Sequence, residues 1–242
     1  TNLHRSPYNS RNHEYYSEDA VLTSGQAVAF ISGGKEYGVI IAPKHLAFND
    51  TEINRTGVSV FMTEQQAREN ELRGTQASIE DAGALGVMTA FNRVGITAAN
   101  AHTGLLKNIL RGEWGFKGLE SQDFIMNPNY AVLKEYALNG GTMTTFTGEN
   151  TMAAVSEKFA YWTTENVGQD TQLMSAIKQA MTWQAYALAN SNALDGMASS
   201  TRLVSVRTWY DNALVAVQVV FAALTVLAAA MYVLNDRKSK KQ

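Results

Sequence analysis

Four short polar clusters in this chain have residue types that could do chemistry together: Lys44-His45, Phe91-Asn92-Arg93, Asp123-Phe124 and Thr147-Gly148-Glu149. Each follows a short apolar run. A cation, a hydrogen-bonding imidazole, a carboxylate and an aromatic face aimed at one mouth suit a polyhydroxylated ligand. Hydroxyls are held best by charged or bidentate partners, and the C–H face of a ring packs on an aromatic side chain. On spacing alone two readings of each cluster stand. Asp123 is either a reacting carboxylate or a helix-capping one ahead of Asn127-Pro128, and Lys44-His45 is either a ligand pair or an exposed loop.

The elements that would position these groups alternate along the chain. Tyr37–Pro43, Gly86–Phe91, Gly118–Asp123 and Thr142–Phe146 read as strands. Between and after them lie helical patterns. Thr63–Asp81 opens on Thr63 and Gln66, spaced as a capping box, and Asn100–Glu113 carries Leu105, Leu106, Ile109 and Leu110 on one face. A third helix starts at Asn127-Pro128, a natural cap and first turn, and runs to Leu138; a fourth covers Thr171–Asn192. Four β-then-α units imply parallel strands with right-handed crossovers, half of a (β/α)8 barrel, whose chemistry sits at the C-terminal strand ends. Residues 1–36 read largely as loop, and a whole barrel needs about 250 residues. The expected fold is therefore α/β: a TIM-barrel-like domain over residues 1–200, incomplete at its N-terminal side. A small open doubly wound sheet is the alternative, but Gly33-Gly34 and Gly140-Gly141 do not match a dinucleotide-binding loop.

Composition removes several classes of function. Twenty Lys+Arg against 22 Asp+Glu leave a net charge of −2, so no basic field exists to hold nucleic acid. The absence of cysteine rules out disulfide scaffolds, zinc ribbons and thiol catalysis. His4, His13 and His102 lack metal-ligand spacing, so neither metal nor cofactor is expected. The chain starts at Thr1 without a signal-like segment and reads as a fragment of something longer.

Ala213–Leu234 contains no formal charge, and only Gln218, Thr225 and Tyr232 carry polar side-chain groups. As a helix it is about 33 Å long, which matches a bilayer core of about 30 Å. A buried core helix is seldom apolar around its whole circumference for so long. Trp209, Tyr210 and Tyr232 stand at its ends, where amphipathic rings favour the lipid boundary. Arg237, Lys238, Lys240 and Lys241 follow it, against Arg202 and Arg207 before it. The positive-inside rule then makes 235–242 a cytoplasmic tail, 201–212 a juxtamembrane linker, and the barrel the extracytoplasmic part of a single-pass cell-membrane protein.

The runs HRSPYNSRNHEYYSED (4–19), KHLAFNDTEINR (44–55), VMTAFNRVG (87–95) and ILRGEWGFKGLESQDF (109–124) resemble, in order and spacing, the barrel domain of glycoside hydrolase family 3. That family includes β-glucosidases and β-xylosidases, and the resemblance extends over about residues 2–195. It implies that Asp123 is the nucleophile that forms a covalent glycosyl-enzyme. Arg11, Lys44 and His45 fall on binders of sugar hydroxyls, Met88 on a residue lining the innermost subsite, and Phe124 on an aromatic platform. Arg11 and Lys44 are expected to help keep Asp123 charged.

The departures are informative. Phe91 stands where the family usually has a Tyr whose hydroxyl bonds the nucleophile, and Ser10, Ala20 and Gln122 replace Gly, Pro and Ser/Thr. The run after Lys44-His45 lacks the second His of the N-acetylglucosaminidase branch, which favours the glucosidase/xylosidase branch. In the family the acid/base Glu lies in a second, α/β-sandwich domain, and a further sugar-binding Asp lies upstream. Glu52 and Arg55, three apart, read as a structural ion pair, with Glu149 as a reserve acid. The expected activity is retaining hydrolysis of terminal β-linked glucosides or short oligosaccharides, with the acid supplied from outside this chain. The alternative is a membrane-anchored carbohydrate-binding or scaffold protein that kept the barrel motifs without catalysis.

Overall fold

A computed structural model of the chain describes residues 1–55, 57–124, 132–145, 162–197, 201–202 and 204–240. It falls into two units, Thr1–Asp195 and Gly196–Gln242.

In the first unit, helix α1 is Ala20–Lys35, with the Asp19 carboxylate accepting from the Leu22 N–H at 2.6 Å as its N-cap. This corrects the loop reading of residues 1–36. Its apolar residues lie all round, with Val21, Leu22 and Phe30 exposed, so no amphipathic stripe announces it. It buries Thr23, Ala27 and Ile31 on one side. That side packs against α3, Arg73–Glu80, whose buried residues include Gly74, Thr75, Ala77 and Ser78. The approach is close: a Cβ on Gly74 would meet Thr23 Cγ2 at 2.8 Å.

The expected helix over 63–81 is interrupted. Thr63 Oγ1 caps α2, Glu64–Gln66, by accepting from Gln66 N; Ala67–Glu71 is π-helical, and α3 follows. The segment Gly104–Glu113 is also π-helical and buries Leu105, Leu106 and Leu110, as its apolar face predicts.

Strands are short. β1 (Ser59–Val60) pairs in parallel with β3 (Arg93–Val94), which forms a hairpin with β4 (Thr97–Ala98). The sequence reading missed all three, since two-residue strands carry no period. β2 (Gly86–Met88) pairs in parallel with β5 (Leu119–Ser121), and isolated parallel bridges join Leu46 to Thr89 and Ser121 to Met143. Four segments are thus parallel neighbours in chain order, around residues 46, 88, 121 and 143, with helical segments between them. That is the succession an α/β barrel requires.

The first parallel segment is not Tyr37–Pro43. Residues 39–43 form no strand, and pairing begins where Met88 N donates to Pro43 O and Leu46 N to Met88 O. The Asn2 side-chain amide holds the other side, accepting from His45 N and donating to His45 O, both at 2.9 Å. Lys44-His45 therefore lies inside the paired stretch, not after it. The fourth segment narrows to the Met143 bridge. Phe146 and the expected cluster Thr147-Gly148-Glu149 lie outside the described residues, as does Asn127-Pro128; the helix beyond it is α4, Leu133–Leu138. Helices α5 (Thr164–Gln169) and α6 (Thr171–Ala189) complete the unit. The core gathers Ile31, Leu46, Leu72, Val87, Leu106, Leu110, Phe116 and Tyr136.

The second unit is built on α7, Trp209–Ser239. Its stretch Trp209–Leu234 has a mean hydropathy of 2.4, and none of it is buried.

Candidate active site

Asp123 stands two residues beyond β5, buried at 8% exposure. Its Oδ1 accepts from the Phe124 N–H at 2.8 Å, and its Oδ2 has no hydrogen-bond partner. A buried carboxylate oxygen without a donor is costly unless charge or a ligand compensates it. Two groups face that oxygen. His45 Nε2 lies 3.7 Å away and Arg55 Nη1 4.0 Å away.

His45 is buried, and its tautomer follows from its neighbours. The Tyr15 hydroxyl donates to Asn49 O, so its single proton is spent, and His45 Nδ1, 3.1 Å away, must be the donor to it. Nε2 is then an acceptor, 3.4 Å from Arg11 Nη2. Burial, followed by the charges of Arg11 and Lys44, lowers the imidazole pKa to about 2, so the ring stays neutral. It presents one acceptor nitrogen beside the free oxygen of Asp123. A hydroxyl placed between them could donate to either atom.

The cations form a chain of alternating charge. Lys44 Nζ donates to Glu14 Oε2 at 2.8 Å, and Arg11 grips Glu14 through two bonds of 3.0 and 2.9 Å. Arg11 Nη1 reaches Glu52 Oε1 at 2.7 Å, Glu52 reaches Arg55 Nη1 at 3.2 Å, and Arg55 ends at Asp123. The Arg11 hydrogen bond, assisted by Lys44, lowers the Glu14 pKa to about 2. The loop that carries Arg11 is anchored by Arg5, which binds Asp50 at 2.9 and 2.5 Å, and by Asn9, 2.6 Å from Asp50.

The geometry therefore brings Arg11, Lys44, His45 and Asp123 together, but it divides the charges differently from the expectation. The ion pairs of Arg11 and Lys44 run to Glu14 and Glu52, and the guanidinium beside Asp123 belongs to Arg55. Sequence spacing suggested the Glu52–Arg55 pair but not its third partner, 68 residues further on. Glu14 and Tyr15 were missed as well, although both lie within the same run as Arg11. Phe91 is buried, and Arg55 stacks on it with 4.9 Å from guanidinium carbon to ring centroid. Met88 ends β2, half-buried, and Phe124 is 44% exposed. Asn92 is buried; its amide donates to Arg93 O at 3.1 Å, and its Oδ1 has no hydrogen-bond partner. Among the described residues no cluster of His, Asp or Glu could hold a metal.

The first unit thus combines parallel strands with a buried carboxylate whose Oδ2 is unpartnered, with His45 and Arg55 facing that oxygen and Arg11 and Lys44 linked to it through Glu14 and Glu52. The model of the glycosyl hydrolase family 3 N terminal domain matches residues 1–140, and the chain belongs to that family. It is 39% identical over 123 residues to a probable beta-glucosidase J of Emericella nidulans, covering 51% of this chain and 14% of the relative. A beta-glucosidase of Rhizobium radiobacter is likewise 39% identical over 123 residues, covering 51% of this chain and 15% of that protein. Among solved structures, beta-glucosidase 3B from Thermotoga neapolitana in complex with glucose superposes with a TM-score of 0.69 at 27% identity, over 80% of this chain and 27% of its own. The chain thus spans about a seventh of the length of these curated relatives.

Proposed function

We propose that this chain is the nucleophile-bearing part of a retaining β-glycosidase acting on terminal β-linked glucosides. Asp123 Oδ2 attacks the anomeric carbon, the C1–O bond to the aglycone breaks, and its electron pair leaves with the aglycone oxygen. Water then attacks C1 of the glycosyl-enzyme, its proton goes to a general base, and Asp123 is released. Arg11, Lys44, His45, Met88 and Phe124 bind the sugar, and Phe91 shapes the wall behind Arg55. The observation that carries this reading is the unpartnered, buried Asp123 Oδ2 between His45 Nε2 and Arg55 Nη1.

The protonated acid comes from outside this set. Glu14 is held ionised by Arg11 and Lys44, and Glu52 sits between two guanidiniums. The acid is assigned to an α/β-sandwich domain elsewhere in the intact protein, which the short share of the relatives' length supports. The first unit is read as an N-terminally incomplete barrel, in line with its run of parallel neighbours. The exposed apolar helix supports a single-pass anchor through 213–234, with the barrel outside the cell membrane and the basic tail in the cytoplasm.

The test is hydrolysis of an aryl β-glucoside by the full-length protein and its Asp123→Asn variant. A loss of about 10³-fold or more, equal to roughly 4 kcal/mol of transition-state stabilisation, is expected. Unchanged turnover would remove Asp123 from the mechanism and favour a binding protein.

A further inference from the structure

The polar residues of α7 are not scattered. Gln218, Thr225 and Tyr232 recur every seven residues, so they lie along one face of the helix, with a drift of only about 20° per repeat. Ala222 and Ala229, each four residues beyond a member of this series, fall on the same face. Phe221, one turn before Thr225, flanks this face, and the other faces carry Val217, Val220, Leu224, Leu227 and Met231.

Thr225 satisfies itself within the helix, its hydroxyl donating to Phe221 O at 2.8 Å. Gln218 does not. Its side chain is exposed and has no hydrogen-bond partner among the described residues. On the anchoring reading, on which this argument rests, Gln218 lies well inside the hydrocarbon layer, where neither water nor lipid tails can bond its amide.

We infer that α7 self-associates in the membrane as a parallel dimer through the face Gln218–Ala222–Thr225–Ala229. A second copy is the occupant that the chemistry selects. A carboxamide both donates and accepts, so two Gln218 side chains related by a two-fold axis bond each other reciprocally, with no foreign group needed. The alanines beside them let the backbones approach closely enough for that bond, and a seven-residue polar repeat keeps one seam facing the partner over the whole span. The dimer would set two barrel units on one side of the bilayer.

The chain has no cysteine, which makes the test clean. Single cysteines are placed in the full-length chain at Ala222→Cys and Ala229→Cys on the seam, and at Val220→Cys and Leu227→Cys on the opposite face. Membranes are washed with alkaline carbonate and oxidised mildly, and dimer formation is read on non-reducing gels. The seam positions are expected to cross-link and the opposite ones not. Gln218→Leu in the Ala222→Cys background should weaken the dimer roughly tenfold across a lipid-dilution series, and Gln218→Asn should keep it. Equal cross-linking on both faces, none on the seam, or indifference to Gln218→Leu overturns the dimer while leaving the anchor intact. A chain released from membranes by carbonate overturns the anchor, and the dimer with it.

Discussion

Glu120 is fully buried in β5, and neither of its carboxylate oxygens accepts a hydrogen bond. The hydroxyls of Tyr136 and Thr89 lie close, but the one proton of Tyr136 faces the main-chain oxygens of Glu120 and Met143 at 3.0 and 2.8 Å, and Thr89 donates to Ser121 O. Arg111 faces the site from the π-helical segment, with its donors committed to Gly140, Phe116 and Gly118 carbonyls. Burial raises the Glu120 pKa from 4.5 to about 7, with Tyr136 and Arg111 opposing only part of the shift. The rise from 4.5 to about 7 corresponds to roughly 3 kcal/mol. The sign follows from the raised value. The folded chain prefers the proton, so the cost of Glu120 is absent below pH 4.5, grows as pH rises from 4.5 to 7, and is constant above.

The wild-type pH profile alone does not isolate this. His45, with its pKa lowered to about 2, makes the fold gain stability as pH rises toward 6.5, and Glu71, raised to about 6 by burial, adds its own slope. The difference between Glu120→Gln and wild type cancels both. Measured by urea unfolding, followed by tryptophan fluorescence in detergent, that difference should rise in favour of the variant by about 3 kcal/mol between pH 4.5 and pH 8. A flat difference, or a variant less stable than wild type at pH 8, would refute the assignment of Glu120 as an uncompensated buried carboxylate.

Two further outcomes follow from specific contacts. Arg55→Ala leaves Asp123 without its neighbouring cation and should cut kcat/KM of the full-length protein about 10²-fold, or roughly 3 kcal/mol, on an aryl β-glucoside. Arg55→Lys should recover little of it, because an ammonium cannot both stack on Phe91 and bridge Glu52 to Asp123. Gly74→Val forces a side chain into Thr23 and should destabilise the first unit by about 2 kcal/mol in urea unfolding. Gly74→Ala should cost less, since a helix gain of about 1 kcal/mol offsets part of the clash.

Much of this architecture was legible in the residues. Leu105, Leu106 and Leu110 mark a helical face, the runs expected as strands over Gly86–Phe91 and Gly118–Asp123 contain the shorter parallel strands Gly86–Met88 and Leu119–Ser121, and the blocks around Arg11, Lys44 and Asp123 meet in space. What escaped did so for physical reasons. Helix α1 is apolar on every side and holds Gly25, Gly33 and Gly34, so neither periodicity nor propensity marks it; its N-cap Asp19 was the available signal. Tyr37–Pro43 has the composition of a strand and runs beside β2, with Met88 N donating to Pro43 O, but the parallel bridge forms further on at Leu46, where Asn2 and Met88 supply partners from distant segments. The charge chain from Lys44 to Asp123 joins residues far apart in sequence, and spacing reveals only its local links, Arg11–Glu14 and Glu52–Arg55.

The free oxygen of Asp123 is the atom expected to bond to a sugar's anomeric carbon. A 2-deoxy-2-fluoro-β-glucoside with a dinitrophenolate leaving group needs no acid to depart, so it can label the nucleophile even in this chain alone. Peptide mass spectrometry after incubation should find the fluorosugar on Asp123, with the label lost in Asp123→Asn. An unlabelled chain, or a label on any other carboxylate, would contradict the assignment.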